Sequence, residues 1–222
     1  MLHVGGGASL EWFPQETLVF PGAHAALETR VELQAGGEAL NVGRIITEGG
    51  SAGIYAGLIN QKGIVRADAP VLGEGGKITF RATKRTVLDE GSITSATGAK
   101  GGEIKVLGEE VGLFGNATVD ASGANGGGTV LVGGDYQGRN PDVPNARATY
   151  VGREASIKAD AGETGDGGKV IVWSDEVTRV HGAISARGGE QSGDGGLAET
   201  SSKQYLDVTR APDVATPHGK AG

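Results

Sequence analysis

Short runs of alternating apolar and polar residues recur along the chain, and each follows a pair of glycines. Alternation over four residues places the apolar side chains on one face of an extended strand. The pattern therefore predicts short β-strands that each bury one face. The clearest of these runs are residues 77–80, 103–106, 129–132 and 169–172.

The glycine pairs are regularly spaced. Three successive steps from one pair to the next are 26 residues long, and the two later steps are 40 and 28 residues. The longest step contains residues 135–145, a polar stretch with two prolines that is typical of a loop. We therefore predict one inserted loop near residues 135–148. The second glycines of the pairs are Gly50, Gly76, Gly102, Gly128, Gly168 and Gly196.

Further apolar sites recur later in each repeat, so that every repeat contains three short strands and three turns. One such repeat cannot close a core by itself, but stacked repeats can. We predict an all-β fold, a right-handed parallel β-helix that forms a three-sided solenoid with rungs of about 26 residues. The glycine pairs are expected at the corners, where they would supply left-handed backbone angles.

Composition and charge exclude several classes of protein. Glycine supplies 42 of 222 residues, too many for a helical bundle, because each glycine inside a helix costs about 1 kcal/mol relative to alanine. The chain has no cysteine, which excludes disulfides and thiolate metal sites. Its net charge is −7, and it lacks the clustered Lys and Arg that nucleic acid requires. No apolar run approaches the length of a membrane span.

The residues that carry chemistry form no recognisable catalytic pattern. The four histidines lack metal-ligand spacing, and no Gly-x-Ser-x-Gly nucleophile elbow occurs. Trp173 is expected to pack against the next rung rather than to form a platform for sugars. Acidic pairs at the predicted rung edges are interpreted as a solvated face rather than as glycosidase carboxylates. These pairs are Asp89-Glu90, Glu109-Glu110 and Asp175-Glu176.

Calcium binding is the alternative interpretation of two Gly-Asp-Gly-Gly stretches, residues 165–168 and 193–196. Calcium-binding nonapeptide repeats place the Asp after the glycines, whereas here it precedes them. The repeat of 26 to 28 residues also differs from nine. We therefore expect no catalytic residue, no cofactor and no metal site.

Several stretches of the repeat region occur together in one family of secreted proteins. They are residues 53–63, 133–138, 170–175, 184–189 and 199–203. Through them residues 41–222 resemble the β-helical repeat region of filamentous-haemagglutinin-like two-partner-secretion exoproteins. The resemblance implies a rod at the bacterial surface, exported through an outer-membrane transporter and used in adhesion, aggregation or biofilm formation. The signal sequence and dedicated secretion domain of that family are not recognised in this chain.

The first 40 residues have a different character. Residues 10–20 resemble a signature of the urease accessory protein D family, and residues 22–23 and 29–33 continue the likeness. That family consists of all-β scaffolds that bind apo-urease and other accessory proteins during nickel delivery. Alternation in this segment predicts strand, turn and strand, which would cap one end of the solenoid. The resemblance makes a partner-binding motif of Glu11, Trp12, Pro14, Gln15, Glu16 and Thr17.

The sequence thus predicts three parts: a β-segment over residues 1–40, a solenoid over residues 41–208 and an irregular tail over residues 209–222. The expected function is that of a structural and adhesive segment of a secreted or surface exoprotein, without enzymatic activity. Its expected partners are an outer-membrane transporter and glycans or proteins of host cells or biofilms. Two alternatives are a scaffold that assists nickel insertion into apo-urease and a polysaccharide-active β-helix enzyme.

Overall fold

The computed structural model describes residues 28–32, 40–69 and 73–222, and their regular structure consists almost entirely of β-strands. A single 3₁₀ turn, Tyr136–Gly138, interrupts them. In this part of the chain, no helix is long and apolar enough to cross a membrane. The strands are β1 (Glu28–Glu32), β2 (Leu40–Ile46), β3 (Ser51–Arg66), β4 (Lys77–Leu88), β5 (Ile93–Ser95), β6 (Glu103–Leu107), β7 (Glu110–Leu113), β8 (Thr118–Asp120), β9 (Thr129–Val132), β10 (Ala148–Val151), β11 (Ser156–Lys158), β12 (Lys169–Ser174), β13 (Val177–Val180), β14 (Ala183–Ser185), β15 (Leu197–Ser202) and β16 (Tyr205–Val208).

The strands stack in parallel on three faces. The first face consists of β1, the starts of β3 and β4, and then β6, β9, β12 and β15. The second contains the start of β2, the middle of β3, the end of β4, and β7, β10, β13 and β16. The third contains the ends of β2 and β3, followed by β5, β8, β11 and β14. This arrangement confirms the predicted three-sided parallel solenoid.

The register of the first face confirms the 26-residue period. Ile78 pairs with Ile104, and Ile104 pairs with Val130, so that residues 26 apart lie side by side. Val130 then pairs with Val170 across the longer step, without any shift of register. These side chains point inward and are fully buried. One continuous apolar core therefore runs through the stacked rungs.

The two ends of the predicted solenoid differ in what the structure describes. At the first end, β1 pairs in parallel with the start of β3 and so adds a strand to the first face. The candidate partner-binding residues from Glu11 to Thr17 lie outside the described residues. At the other end, residues 209–222 contain no strand, but Asp213 bridges Ser185 on the third face. The irregular tail thus follows the course of the last rung.

The paired glycines have a different physical role from the one predicted. None of the six second glycines of the pairs has a left-handed backbone angle. A side chain is excluded instead by close contact between rungs: a Cβ at Gly102 would lie 2.1 Å from the carbonyl oxygen of Gly76. The next glycine of the stack, Gly128, meets Gly102 in the same way at 2.2 Å. The backbones approach so closely at this corner that only glycine fits.

Candidate functional site

On the outside of the first face, the polar inserted loop folds back over the sheet. We call this loop, residues 133–147, the strap. Val143 of the strap is buried among outward-facing side chains of three stacked strands. The apolar cluster formed in this way consists of Leu107, Leu131, Val143, Ile171 and Trp173.

Polar contacts fix the strap at several points. Asp135 accepts a hydrogen bond from the amide of Asn140 at 2.8 Å and forms an ion pair of 2.6 Å with Lys169. The carboxylate of Glu199 on β15 accepts the backbone N–H of Gln137 at 3.1 Å. These bonds connect the strap to two successive strands of the first face, which makes it a rigid part of the surface.

Trp173 is the centre of the contact between strap and sheet. Its side chain is buried, and its indole N–H donates to Asp175 at 3.3 Å. A Cβ at Gly138 would lie only 2.5 Å from the indole ring, so a glycine is required where the strap crosses it. The expectation that Trp173 packs rather than serves sugars agrees with this burial, although the strap covers it rather than the next rung alone. The loop is therefore not the freely tolerant segment that its polar sequence suggests.

The packing of the strap can be tested with a single buried residue. Val143→Asp should release the strap, because burying a carboxylate in this apolar cluster is strongly unfavourable. Cleavage by trypsin after Arg139 should accelerate by about tenfold or more, since each 1.4 kcal/mol of lost docking is tenfold in the open population. Asp142→Ser, at the exposed neighbouring position, is the matched control and should be cleaved like the parent. Equal cleavage of all three proteins would show that Val143 does not hold the strap.

Two of the three acidic pairs at the rung edges, Glu109-Glu110 and Asp175-Glu176, contribute carboxylates to ion pairs. Glu110 lies between two arginines, 2.6 Å from Arg85 and 2.5 Å from Arg147, and Arg147 also contacts Glu176 at 3.2 Å. The hydrogen bond from Arg85, together with the charge of both arginines, lowers the pKa of Glu110. A general acid in glycoside hydrolysis needs a raised pKa. The lowered pKa favours the ionised form of Glu110, which suits a role in ion pairs rather than as a general acid. We call the row of ion pairs that joins Arg85, Glu110, Arg147 and Glu176 on successive rungs the ionic ladder.

Asp175 belongs to a second polar cluster, beside the strap. Burial works against its ionisation, but bonds from Lys203, Trp173 and Asn145 outweigh that penalty and lower the pKa of Asp175. The carboxylate lies 2.8 Å from Lys203 on the next rung and 3.1 Å from the amide of Asn145. Asp175 therefore links the strap, the tryptophan and the following rung.

The ionic ladder predicts a pH dependence of stability. Because the pKa of Glu110 is lower in the folded chain than its ordinary 4.5, the ladder adds stability above pH 4.5 and loses it as the pH falls through the lowered folded value. The melting temperature of the parent should therefore fall more steeply on acidification than that of Glu110→Gln. Glu154→Gln, at an exposed position, should follow the parent. Parallel curves for the parent and Glu110→Gln would contradict this role of Glu110.

In the two Gly-Asp-Gly-Gly stretches, the aspartate carboxylates accept hydrogen bonds from backbone N–H groups. Asp166 accepts the N–H of Asp194 at 2.7 Å, and Asp194 accepts the N–H of Lys220 at the same distance. Each aspartate thus joins its rung to the next. Over residues 40–69 and 73–222, no group of three or more acidic or histidine side chains is placed to hold a metal ion.

Comparison with known proteins divides the chain into two parts. The UreD urease accessory protein family matches residues 1–52. Urease accessory protein UreD of Dechloromonas aromatica (strain RCB) is 53% identical over 47 residues, which cover 19% of this chain and 16% of that protein. The protein of the same name from Pseudomonas savastanoi pv. phaseolicola is 66% identical over 32 residues, or 14% of this chain and 11% of the relative. This chain thus matches only a small part of the curated relatives.

The solenoid resembles a solved secretion domain. The crystal structure of the HMW1 secretion domain from Haemophilus influenzae superposes with a TM-score of 0.63 and is 28% identical in sequence. The match covers 79% of this chain and 48% of the solved chain. The chain therefore combines a UreD-like beginning with a β-solenoid similar to that of a two-partner-secretion exoprotein.

The structural match adds a comparison that the sequence did not suggest. The sequence suggested the repeat region of an exoprotein and no secretion domain, yet the similar solved structure is itself a secretion domain. A repeat region and a secretion domain are hard to distinguish by sequence, because stacked rungs produce the same alternation and the same glycine corners in both.

Proposed function

We propose that this chain is a rod-forming segment of a secreted bacterial exoprotein, recognised and exported by an outer-membrane transporter. The observation that carries the proposal is the similarity of the solenoid to the HMW1 secretion domain over 79% of this chain. The ladders of backbone hydrogen bonds make a stiff rod, and the ion pairs between rungs reinforce it.

Export through a transporter can be measured directly. The full chain, carried to the periplasm by an added export signal, should reach the culture medium only when an outer-membrane transporter of the two-partner-secretion class from the same organism is co-expressed. An unrelated periplasmic protein of similar mass should remain inside the cell in both cases. Retention of the chain in the presence of that transporter, or release in its absence, would contradict the proposed export.

We further propose that the exported segment acts by surface contact in adhesion, aggregation or biofilm formation, at the cell surface or after release, and that it is not an enzyme. The buried Trp173 and the salt-bridged Glu110 support a structural use of the two most enzyme-like features of the sequence. A panel of polysaccharides should yield no new reducing ends when incubated with the chain. Release of reducing ends that is lost on a carboxylate substitution would overturn the non-enzymatic assignment.

A second candidate function is supported by the match of residues 1–52 to the UreD family. Under this alternative the segment would bind apo-urease or its accessory proteins and assist nickel insertion. A pull-down with these proteins decides the matter: specific capture that Trp12→Ala abolishes would favour the urease role. Under the leading proposal we expect no capture by the parent chain.

A further inference from the structure

Three buried polar side chains meet inside the solenoid, at the corner between its second and third faces. They are Gln61 on β3, Ser92 just before β5 and Thr94 on β5, and each is fully buried. We call these three residues the polar corner. Among the described residues, the side-chain oxygens of all three lack a hydrogen-bond partner within the protein.

Each of the three residues replaces an apolar or small one in its own column of stacked side chains. Gln61 lies between Val42 on one rung and Leu88 on the next. Thr94 lies between Val65 and Val119. The solenoid core is therefore made polar at three positions that converge on one corner.

Ser92 follows the same rule as the other two residues. It stands immediately before β5, at the place where Ala117 stands before β8 and Ala155 stands before β11. A hydroxyl group is thus added at this corner alone among these three turns. Because an unpaired polar group in a core costs stability, the coincidence of two hydroxyls and one amide oxygen calls for a shared partner.

The position of the Gln61 amide is fixed by two hydrogen bonds. Its nitrogen donates to the carbonyl of Gly63 at 2.6 Å and to that of Ile93 at 3.2 Å. Since a nitrogen that donates to two carbonyls cannot exchange places with the oxygen, Oε1 is the atom that needs a donor. Ile93 lies between Ser92 and Thr94, so the amide is bonded to the backbone of the segment that carries both hydroxyls.

Other buried hydroxyls of the core show that this situation is exceptional. Thr86 donates to the carbonyl of Leu107 at 2.7 Å, and Thr149 donates to that of Trp173 at 2.8 Å. Buried hydroxyls elsewhere in the solenoid can thus be satisfied by the backbone of a neighbouring strand. The hydroxyls of the polar corner make no such bond.

We propose that the polar corner binds an ordered internal water molecule that bridges Oε1 of Gln61 to the hydroxyl of Ser92 or of Thr94. Side chains two apart on one strand lie about 6.6 Å apart, more than the about 5.5 Å that one water spans with two hydrogen bonds, so the water is required to reach only one of the two hydroxyls. Water both donates to the amide oxygen and accepts from a hydroxyl, as the three neutral groups require. The bound water makes this corner a hydrated point in a core whose other buried hydroxyls, such as those of Thr86 and Thr149, bond to the protein itself.

A high-resolution crystal structure of the full chain tests the site. It should show a water about 2.7–3.2 Å from Gln61 Oε1 and from at least one of the two hydroxyls. A direct bond from Ser92 or Thr94 to Oε1, or a metal cation at the site, would overturn the proposal.

Oxygen-17 relaxation dispersion in solution provides a second, independent test. The triple variant Gln61→Leu, Ser92→Ala, Thr94→Val, which restores the side chains of neighbouring rungs, should have at least one fewer long-lived internal water than the parent. Thr86→Val removes an equally buried hydroxyl that already has a protein partner, and it should leave the number unchanged. An equal number of long-lived waters in the parent and in the triple variant would refute the site, whatever the outcome for export.

Discussion

Ile104→Asp is expected to destabilise the solenoid strongly and to lower the midpoint of its unfolding. Ile104 is fully buried and stacked between Ile78 and Val130, with apolar neighbours on both adjacent rungs. A carboxylate at this position would have no partner, and an unpaired buried charge costs about 3–5 kcal/mol. A loss of this size is a large fraction of the stability of a typical domain. The measurement is thermal or urea unfolding followed by far-ultraviolet circular dichroism.

Ile104→Val is the matched control, because valine already occupies the same column of stacked side chains. Val130 lies one rung further along and Val170 two rungs further along. This substitution removes one methylene and should cost about 0.5–1.5 kcal/mol while folding remains cooperative. If Ile104→Asp melted like Ile104→Val, the side chain would not be in the core, and the register of the first face would be wrong.

Gly102→Ala is expected to destabilise the solenoid, because it adds a methyl group at a corner where the backbones of two rungs are in close contact. The new Cβ would lie 2.1 Å from the carbonyl oxygen of Gly76, and two further backbone atoms of Gly75 lie within 2.8 Å. The obstacle is backbone in the middle of the stack and cannot rotate away. The rungs must separate locally, at a cost of about 1–3 kcal/mol or more. Urea unfolding of the purified variants measures this loss.

Two other glycines separate the effect of crowding from that of backbone angle. Gly91 has a φ of +75° but open space around its Cβ position, so Gly91→Ala should lose only the left-handed preference, about 1–2 kcal/mol. Gly57 has neither constraint, since only one side-chain atom lies as near as 4.0 Å, and Gly57→Ala should be neutral or slightly stabilising. Equal losses for Gly102→Ala and Gly57→Ala would contradict the close stacking of the glycine pairs.

The sequence predicts the fold of the repeat region well because every rung of a solenoid has the same pattern of strands and turns. The alternation from 103 to 106 and from 129 to 132 predicts strands, and their spacing of 26 residues predicts which residues pair. The register of Glu103 with Thr129 follows from this spacing alone. No long-range information was needed, since each rung contacts chiefly its neighbours.

The role of the paired glycines could not be derived in the same way. A glycine pair at a corner is compatible with a left-handed angle or with a close approach of backbones, and both require the absence of a side chain. Only the structure shows that Gly102 approaches the carbonyl of Gly76, whereas left-handed angles occur at Gly49, the first glycine of its pair, and at glycines outside the pairs such as Gly91. The position was predicted, but the cause was wrong.

The polar sequence of the strap does not indicate that the strap packs against the sheet. The signal that could have revealed its packing lies in the sheet beneath it, where residues 130–132 and 170–173 are continuously apolar. A strand that is apolar on successive residues is typically buried on both faces. Leu131, Ile171 and Trp173 point outward from the solenoid and needed a cover. The strap supplies that cover.

The candidate site was predictable only in part for a related reason. The acidic residues Glu110 and Asp175 are visible in the sequence, but their partners come from other rungs: Arg85 and Arg147 for the first, Lys203 for the second. Sequence distance hides these pairs, because the inserted strap and the 26-residue step separate residues that stack. Once the register is known, the partners of each acidic residue can be identified among the residues that stack beside it.

The central claim is that residues one period apart lie side by side in a stacked solenoid, and a short thiol crosslinker tests it directly because the chain has no native cysteine. Lys77→Cys with Glu103→Cys places two thiols in register on neighbouring strands, about 4.8 Å apart. Lys77→Cys with Lys105→Cys displaces one thiol by two residues, to about 8 Å. The account predicts rapid intramolecular crosslinking of the first pair and slow crosslinking of the second. Equal rates, or a faster second pair, would contradict the stacked register on which the proposed function rests.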